Sequence, residues 1–271
     1  MPAIDLTRLK TQVAQLGVYF DQPEVFVRYL SDMLEYYSNR TIRPAQAAVR
    51  AALPSYRVPK PVIRQIESEL EAPADQYPVQ ATTLANALWQ AGTLETRLLT
   101  CHLIGFIPPA SAMPLFSLLP EWMQQSKDPL VQSALLTTAL RRLRRENSKV
   151  LLNLIEDWLN SRDDKMQTWG LRALIPLLNE TGFDNLPVIF CIIRPVLETA
   201  RPSTQLDLQA CLTSLARISL TETLYFLQEA IANTHGQDMQ RILRRMLPTC
   251  SPELQNGLRK ILIEKAIGER K

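Results

Sequence analysis

The sequence predicts an all-α protein, a solenoid of antiparallel helical hairpins, and three observations carry that expectation: helical spacing of apolar residues, scarcity of glycine and a recurring turn. Leu151, Leu154, Ile155 and Trp158 stand at i, i+3, i+4 and i+7. Leu136, Ala139, Leu140 and Leu143 do the same, as do Leu171, Leu174, Ile175 and Leu178, and Leu208, Cys211, Leu212 and Leu215. That spacing puts each set on one face of a 3.6-residue helix. No stretch alternates strictly as a half-buried strand would. Only 8 of the 271 residues are glycine, too few for the tight turns of a sandwich or barrel. With 46% hydrophobic and 21% charged residues, the chain can bury a large core.

Short polar turns fall near Ala91-Gly92, Lys127-Asp128, Arg162-Asp163, Arg201-Pro202 and His235-Gly236. Their spacings are 36, 35, 39 and 34 residues (92 to 128, 128 to 163, 163 to 202, 202 to 236). Two units resemble each other directly: Glu121-Trp122 precedes Ser126-Lys127-Asp128, and Asp157-Trp158 precedes Ser161-Arg162-Asp163. Apolar helix, short turn and second apolar helix at this period define a HEAT or armadillo array. A lone hairpin cannot bury both its faces, so neighbours must stack. Pro187 suits a helix start, while Pro176 and Pro195 lie inside apolar helical patterns and should kink them.

The first ninety residues are less regular. Helices are expected over 4–20 and 24–38, from Pro44 through Leu53, and over roughly 61–71, with Ala72 to Pro78 as a loop. Residues 1–90 form an N-terminal helical cap and 91–271 about five hairpin repeats, all within one solenoid domain spanning 1–271.

Composition narrows the function classes. A net charge of +3 permits an acidic partner without demanding one. The first residues, MPAIDLTRLK, hold no apolar run of the signal-peptide kind, and no membrane helix is expected. Cys101, Cys191, Cys211 and Cys250 are scattered with no C-x-x-C pair, so they read as small buried hydrophobes of a reducing, cytoplasmic compartment. His102 lies mid-helix beside Cys101 and His235 in a turn, and neither joins a cluster with metal-ligand spacing. Asp163-Asp164 sits where acidic residues favour the next helix N-terminus. No Walker loop or nucleophile elbow is present, and no cofactor is implied.

Arginine placement stands out. Arg141, Arg142, Arg144 and Arg145 are expected to close a second helix. Arg241, Arg244 and Arg245 crowd the last hairpin, and Arg97, Arg172 and Arg217 give intervening second helices one each. On a concave face these would form a basic stripe tracking phosphates without reading bases. Cations near a helix C-terminus also complement its dipole, which equally accounts for Arg141 to Arg145. Trp122 and Trp158 share a repeat position suited to core packing; Trp89 and Trp169 are open between core and base stacking.

Tyr56-Arg57-Val58-Pro59-Lys60-Pro61-Val62-Ile63-Arg64, then Leu84 to Trp89 and Glu95-Thr96-Arg97-Leu98-Leu99, resembles the AlkD-like DNA alkylation repair glycosylases. Pro120-Glu121-Trp122-Met123 through Leu136 is similar to that family's P-x-W repeat. The resemblance covers roughly 55–180 and implies HEAT-like repeats and dealings with DNA. It implies no catalytic residue here. The family's S-W-W-D segment, source of its carboxylate and aromatic wall, has no counterpart between the Glu95–Ile104 helix and the P-x-W repeat. Gln132 stands at the phosphate-facing arginine position, Pro129 at that of its tryptophan partner, and Leu171-Arg172-Ala173-Leu174 replaces a G-W-x-L element. A glycosylase needs a carboxylate beside the glycosidic bond and aromatic surfaces for the lesion. Two classes therefore stay open. One is a monomeric binding module for duplex DNA, other nucleic acid or a protein partner; the other is a divergent alkylpurine DNA glycosylase.

Overall fold

The computed structural model describes residues 5–38, 53–180, 183–199, 201–233, 237–249 and 251–268. Among them, every regular element is helical. The helices divide into two compact units, Met1–Asn147 and Ser148–Lys271. The first contains α1 (Leu6–Gly17), α2 (Pro23–Tyr36), α3 (Lys60–Gln76), α4 (Pro78–Gln90), α5 (Leu94–Ile104), α6 (Pro109–Gln125), α7 (Pro129–Thr137) and α8 (Arg141–Glu146). Helices α1, α3, α5 and α7 pack in succession as one layer, and α2, α4, α6 and α8 as the other. The second unit contains α9 (Ser148–Leu159), α10 (Asp164–Leu178), α11 (Leu186–Thr199), α12 (Gln205–Ile218), α13 (Leu220–Asn233), α14 (Gln237–Met246) and α15 (Pro252–Gly268). Its layers are α10, α12, α14 and α9, α11, α13, α15. Each unit is thus a stack of hairpins that bury their apolar faces against neighbours.

The 19 prolines are compatible with so much helix because many open one. Prolines occupy the first or second position of α2, α3, α4, α6 and α7, where the missing N–H has no intrahelical acceptor to lose. Pro73, Pro114, Pro120, Pro176 and Pro195 lie inside helices. The expected turns at 91–92, 127–128, 162–163 and 201–202 all separate helices. The expected turn at His235-Gly236, the helix from Pro44 and the burial of Cys250 lie outside the described residues.

The repeat shows at the level of single hydrogen bonds. Asp128 caps α7 by accepting from the Leu130 N–H at 2.9 Å, and Asp163 caps α10 from the Lys165 N–H at 2.9 Å. Gln132 Nε2 donates back to the Ser126 carbonyl at 2.8 Å, and Gln167 Nε2 to the Ser161 carbonyl at 3.0 Å. Both turns therefore satisfy a first-turn N–H and a preceding carbonyl with the same residue types. Trp122 and Trp158 are buried one helix earlier in their units, as core packing requires.

Three expectations need correction. Residues 72–78 are not a loop: α3 runs through Gln76 with Pro73 inside it, and only Tyr77 separates it from α4. Ala74 is fully buried on the same face as Ile66 and Leu70, so packing carries the helix past a proline that costs one backbone bond. Leu136, Ala139, Leu140 and Leu143 are all buried, yet the helix breaks over 138–140. The Ala134 carbonyl accepts from both Thr138 N–H (2.8 Å) and Ala139 N–H (3.0 Å), a π-type widening that ends α7 and leaves Arg141–Glu146 as a separate short helix. Gly105 packs there so closely that a Cβ would overlap the Thr138 carbonyl oxygen. Finally, Cys101 and Cys211 are buried but Cys191 is exposed, because it falls on the outer side of α11 between the buried Ile189 and Ile192.

Candidate nucleic-acid interface

The arginines of the proposed stripe differ in burial and in the partners that the fold gives them. In the first unit, Arg97 stacks its guanidinium 4.5 Å from the Trp89 ring centroid. Trp89 in turn stacks on Trp122, centroids 4.4 Å apart and planes 12° from parallel, and donates from Nε1 to Gln125 Oε1 at 3.1 Å. Trp89 and Trp169 are both buried, so neither offers a face for a base. Arg141 lies 4.2 Å over Phe106. Arg142 reaches Asp75 at 2.6 Å, Glu146 at 2.7 Å and the Phe106 carbonyl, tying α3, α8 and the turn after α5 together. Asp75 and Glu146 hold the Arg142 guanidinium above its ordinary pKa even though burial opposes them. Arg144 is buried and donates to the Thr137 carbonyl at 3.0 Å, closing the broken helix end. Arg145 is exposed.

In the second unit Arg172 grips Asp207 with two bonds, Nε to Oδ1 at 2.7 Å and Nη2 to Oδ2 at 3.3 Å, joining α10 to α12. Arg172 is nonetheless exposed, as are Arg217 on α12 and Arg241, Arg244 and Arg245 on α14. Helices α12 and α14 pack together, and spacings of three and four place the α14 arginines on one helix face. Arg244 contacts Gln240 Oε1 at 3.4 Å, within its own helix.

Sequence reading missed a polar cluster in the first unit. Glu67, Glu71 and Asp75 recur every fourth residue along α3, a pattern hidden by treating 72–78 as a loop. Glu67 and Glu71 flank His102 of α5, with Oε1 3.9 Å from Nδ1 and 3.4 Å from Nε2 respectively. Despite those carboxylates, burial and the Arg141 charge push the imidazole pKa down to about 4. His102 is therefore neutral at pH 7, and the contacts are polar ones rather than ion pairs. Burial raises the Glu67 carboxyl pKa, Glu71 adds to the rise, and Arg64 and Arg141 oppose it. The Phe106 ring is shared: His102 meets it at a tilt, centroids 4.9 Å apart, and Arg141 lies over it. Among the described residues no group of three or more His, Cys, Asp or Glu is placed to hold a metal ion.

Stacked helical hairpins with capped turns at a period in the thirties define an α-solenoid of HEAT-like repeats. Within that class the chain belongs to the DNA alkylation repair enzyme family, whose pattern it matches over residues 30–246. No curated protein and no solved structure matches it significantly. Among the described residues no helix is long and apolar enough to cross a membrane. The side chain at one family-matched position has a visible occupation: the Gln132 amide donates to the Ser126 and Met123 carbonyls, at 2.8 and 3.3 Å.

Proposed function

We propose that this chain binds the backbone of duplex DNA through exposed arginines and excises no base. Arg241, Arg244 and Arg245 on one face of α14, with the exposed Arg217 on the neighbouring helix α12, carry the reading. They are free of burial, lie within the family-matched span, and present planar donors suited to phosphate oxygens. Arg145 extends the same chemistry in the first unit. Arg141, Arg142, Arg144 and Arg172 serve within the fold, and Arg97 stacks on Trp89. The non-catalytic part rests on Gln132 acting as a cap and on the missing counterpart of the carboxylate segment. A cytoplasmic, monomeric protein forming one continuous solenoid completes the proposal.

Fluorescence anisotropy of a labelled duplex across a salt series tests it. Each phosphate neutralised contributes a slope of about −0.9 in log K against log[salt]. Replacing Arg241, Arg244 and Arg245 by Gln should flatten the slope by up to about three units, with little sequence preference in the wild type. Changing Arg8 and Lys10 to Gln should leave it alone. The same protein incubated with methylated duplex should release no 7-methylguanine or 3-methyladenine above buffer. Release dependent on one Asp or Glu would promote the glycosylase alternative. Absence of binding at low salt would hand the arginines to solubility and favour a protein partner instead.

A further inference from the structure

Burying a cation costs several kcal/mol unless something compensates it, and several arginines here meet that requirement with a carboxylate. Arg142 has Asp75 and Glu146, Arg172 has Asp207, and Arg194 has Glu229 at 3.3 Å. Arg141, stacked on a ring as Arg97 is, feels the charges of Glu67 and Glu71. Among the described residues no carboxylate is paired with Arg97. Burial is the sole influence acting on its pKa, and it lowers it. Its Nε and Nη1 are cut off from solvent and donate to no acceptor among the described residues. The residue as a whole is half-buried, so an edge of the side chain still meets water.

The guanidinium is also held in place. Trp89 lies beneath it, Trp122 beneath Trp89, and Gln125 fixes the Trp89 indole by its Nε1. Gln125 is itself fixed by donating to Glu121 Oε1 at 2.9 Å. A planar cation locked on an indole pair loses little rotamer freedom when it accepts a ligand. Its charge is felt strongly because the stack excludes water from one side. We infer that Arg97, mounted on Trp89 and Trp122, is a preformed subsite for one oxyanion of the phosphate class. The choice of a phosphate over other oxyanions rests on the DNA-backbone reading; the existence of an anion subsite does not.

Two probes separate those dependencies: inorganic phosphate and a labelled duplex. Arg97→Met keeps much of the hydrocarbon stem over Trp89 and removes the charge. Arg97→Lys keeps the charge and removes the fork, and it serves if the methionine variant fails to show wild-type helicity. Phosphate, added at constant ionic strength against chloride, should raise the wild-type thermal midpoint saturably by about 2 °C or more. Arg97→Met should lose that rise, and Arg97→Lys should keep less than half of it. On duplex DNA, Arg97→Met should weaken binding at least about threefold and reduce the salt slope by about one unit. An equal phosphate response in wild type and Arg97→Met, or none beyond chloride in either, overturns the subsite. If duplex binding persists with an unchanged slope in Arg97→Met, the subsite does not serve DNA while the wider DNA reading stands. If phosphate acts through Arg97 but no duplex binds, the subsite stands for free phosphate and the DNA reading falls.

Discussion

His102 shows how one residue can be visible in a sequence and its circumstances invisible. Its position in a helix beside Cys101 marks it as an interior group, and the structure places it against Glu67, Glu71, Phe106 and Arg141. That neighbourhood sets the sign of its effect on stability. Unfolded, the imidazole titrates near its ordinary value of 6.5; folded, near 4. Between those values the unfolded chain binds the extra proton, so stability present above pH 6.5 is lost as pH falls toward 4. Glu67 acts oppositely, because its folded pKa is raised: just above its ordinary value of 4.5 the native state holds more proton, which favours folding as pH falls. Urea midpoints at pH 7, 6 and 5 should therefore decline less steeply for His102→Gln than for wild type, and more steeply for Glu67→Gln. Equal slopes for wild type and His102→Gln would mean that the imidazole titrates alike in both states. The arginines were legible as a group because charge is written in the sequence. Which were spent on Trp89, Phe106, Asp75 or Asp207 was not, since each of those partners lies on another helix.

At the scale of elements, the apolar periodicity located helices well and their ends poorly. The pattern through Leu136, Ala139, Leu140 and Leu143 named four buried residues correctly but could not show that the Ala134 carbonyl takes two N–H groups and breaks the helix between them. The break lies against Gly105, the residue that ends α5. A methyl there meets backbone rather than a side chain that can swing away, so the hairpins would have to part. Gly105→Ala should cost about 1–3 kcal/mol in denaturant unfolding. Gly92→Ala offers a contrast with another origin: its φ of 74° is one that L side chains rarely adopt, and its cost should be about 1 kcal/mol with packing left untouched. A Gly105→Ala protein as stable as wild type would show that the close approach has slack. The end of α3 was misjudged for a related reason. Pro73 argues locally for a break, and the burial of Ala74 against a neighbouring layer overrides it.

For the whole molecule, the hairpin period was the most legible feature, because each turn repeats a local solution that needs no distant partner. The Asp128 and Asp163 caps and the Gln132 and Gln167 bonds show that solution twice. The division at Asn147 was not legible, since α8 and α9 are separated by little more than that residue. If both units form one continuous solenoid, as proposed, thermal unfolding should give a single transition. Leu84→Ala in the first unit or Leu174→Ala in the second, both fully buried, should each remove about 2–5 kcal/mol and lower that one transition. Two transitions, each answering to one substitution, would overturn continuity. The glutamine bonds carry a consequence of a different kind. A side chain that holds a carbonyl of its own turn is indifferent to the ions around it, whereas an arginine reaching for phosphate competes with counterions at every encounter. At the turns held by Gln132 and Gln167 the spacing rests on neutral bonds that ionic strength leaves alone, unlike the Arg142–Asp75 and Arg172–Asp207 ion pairs between helices. If the surface binds DNA as proposed, salt would tune how tightly it holds that polyanion while these two turns keep their bonds.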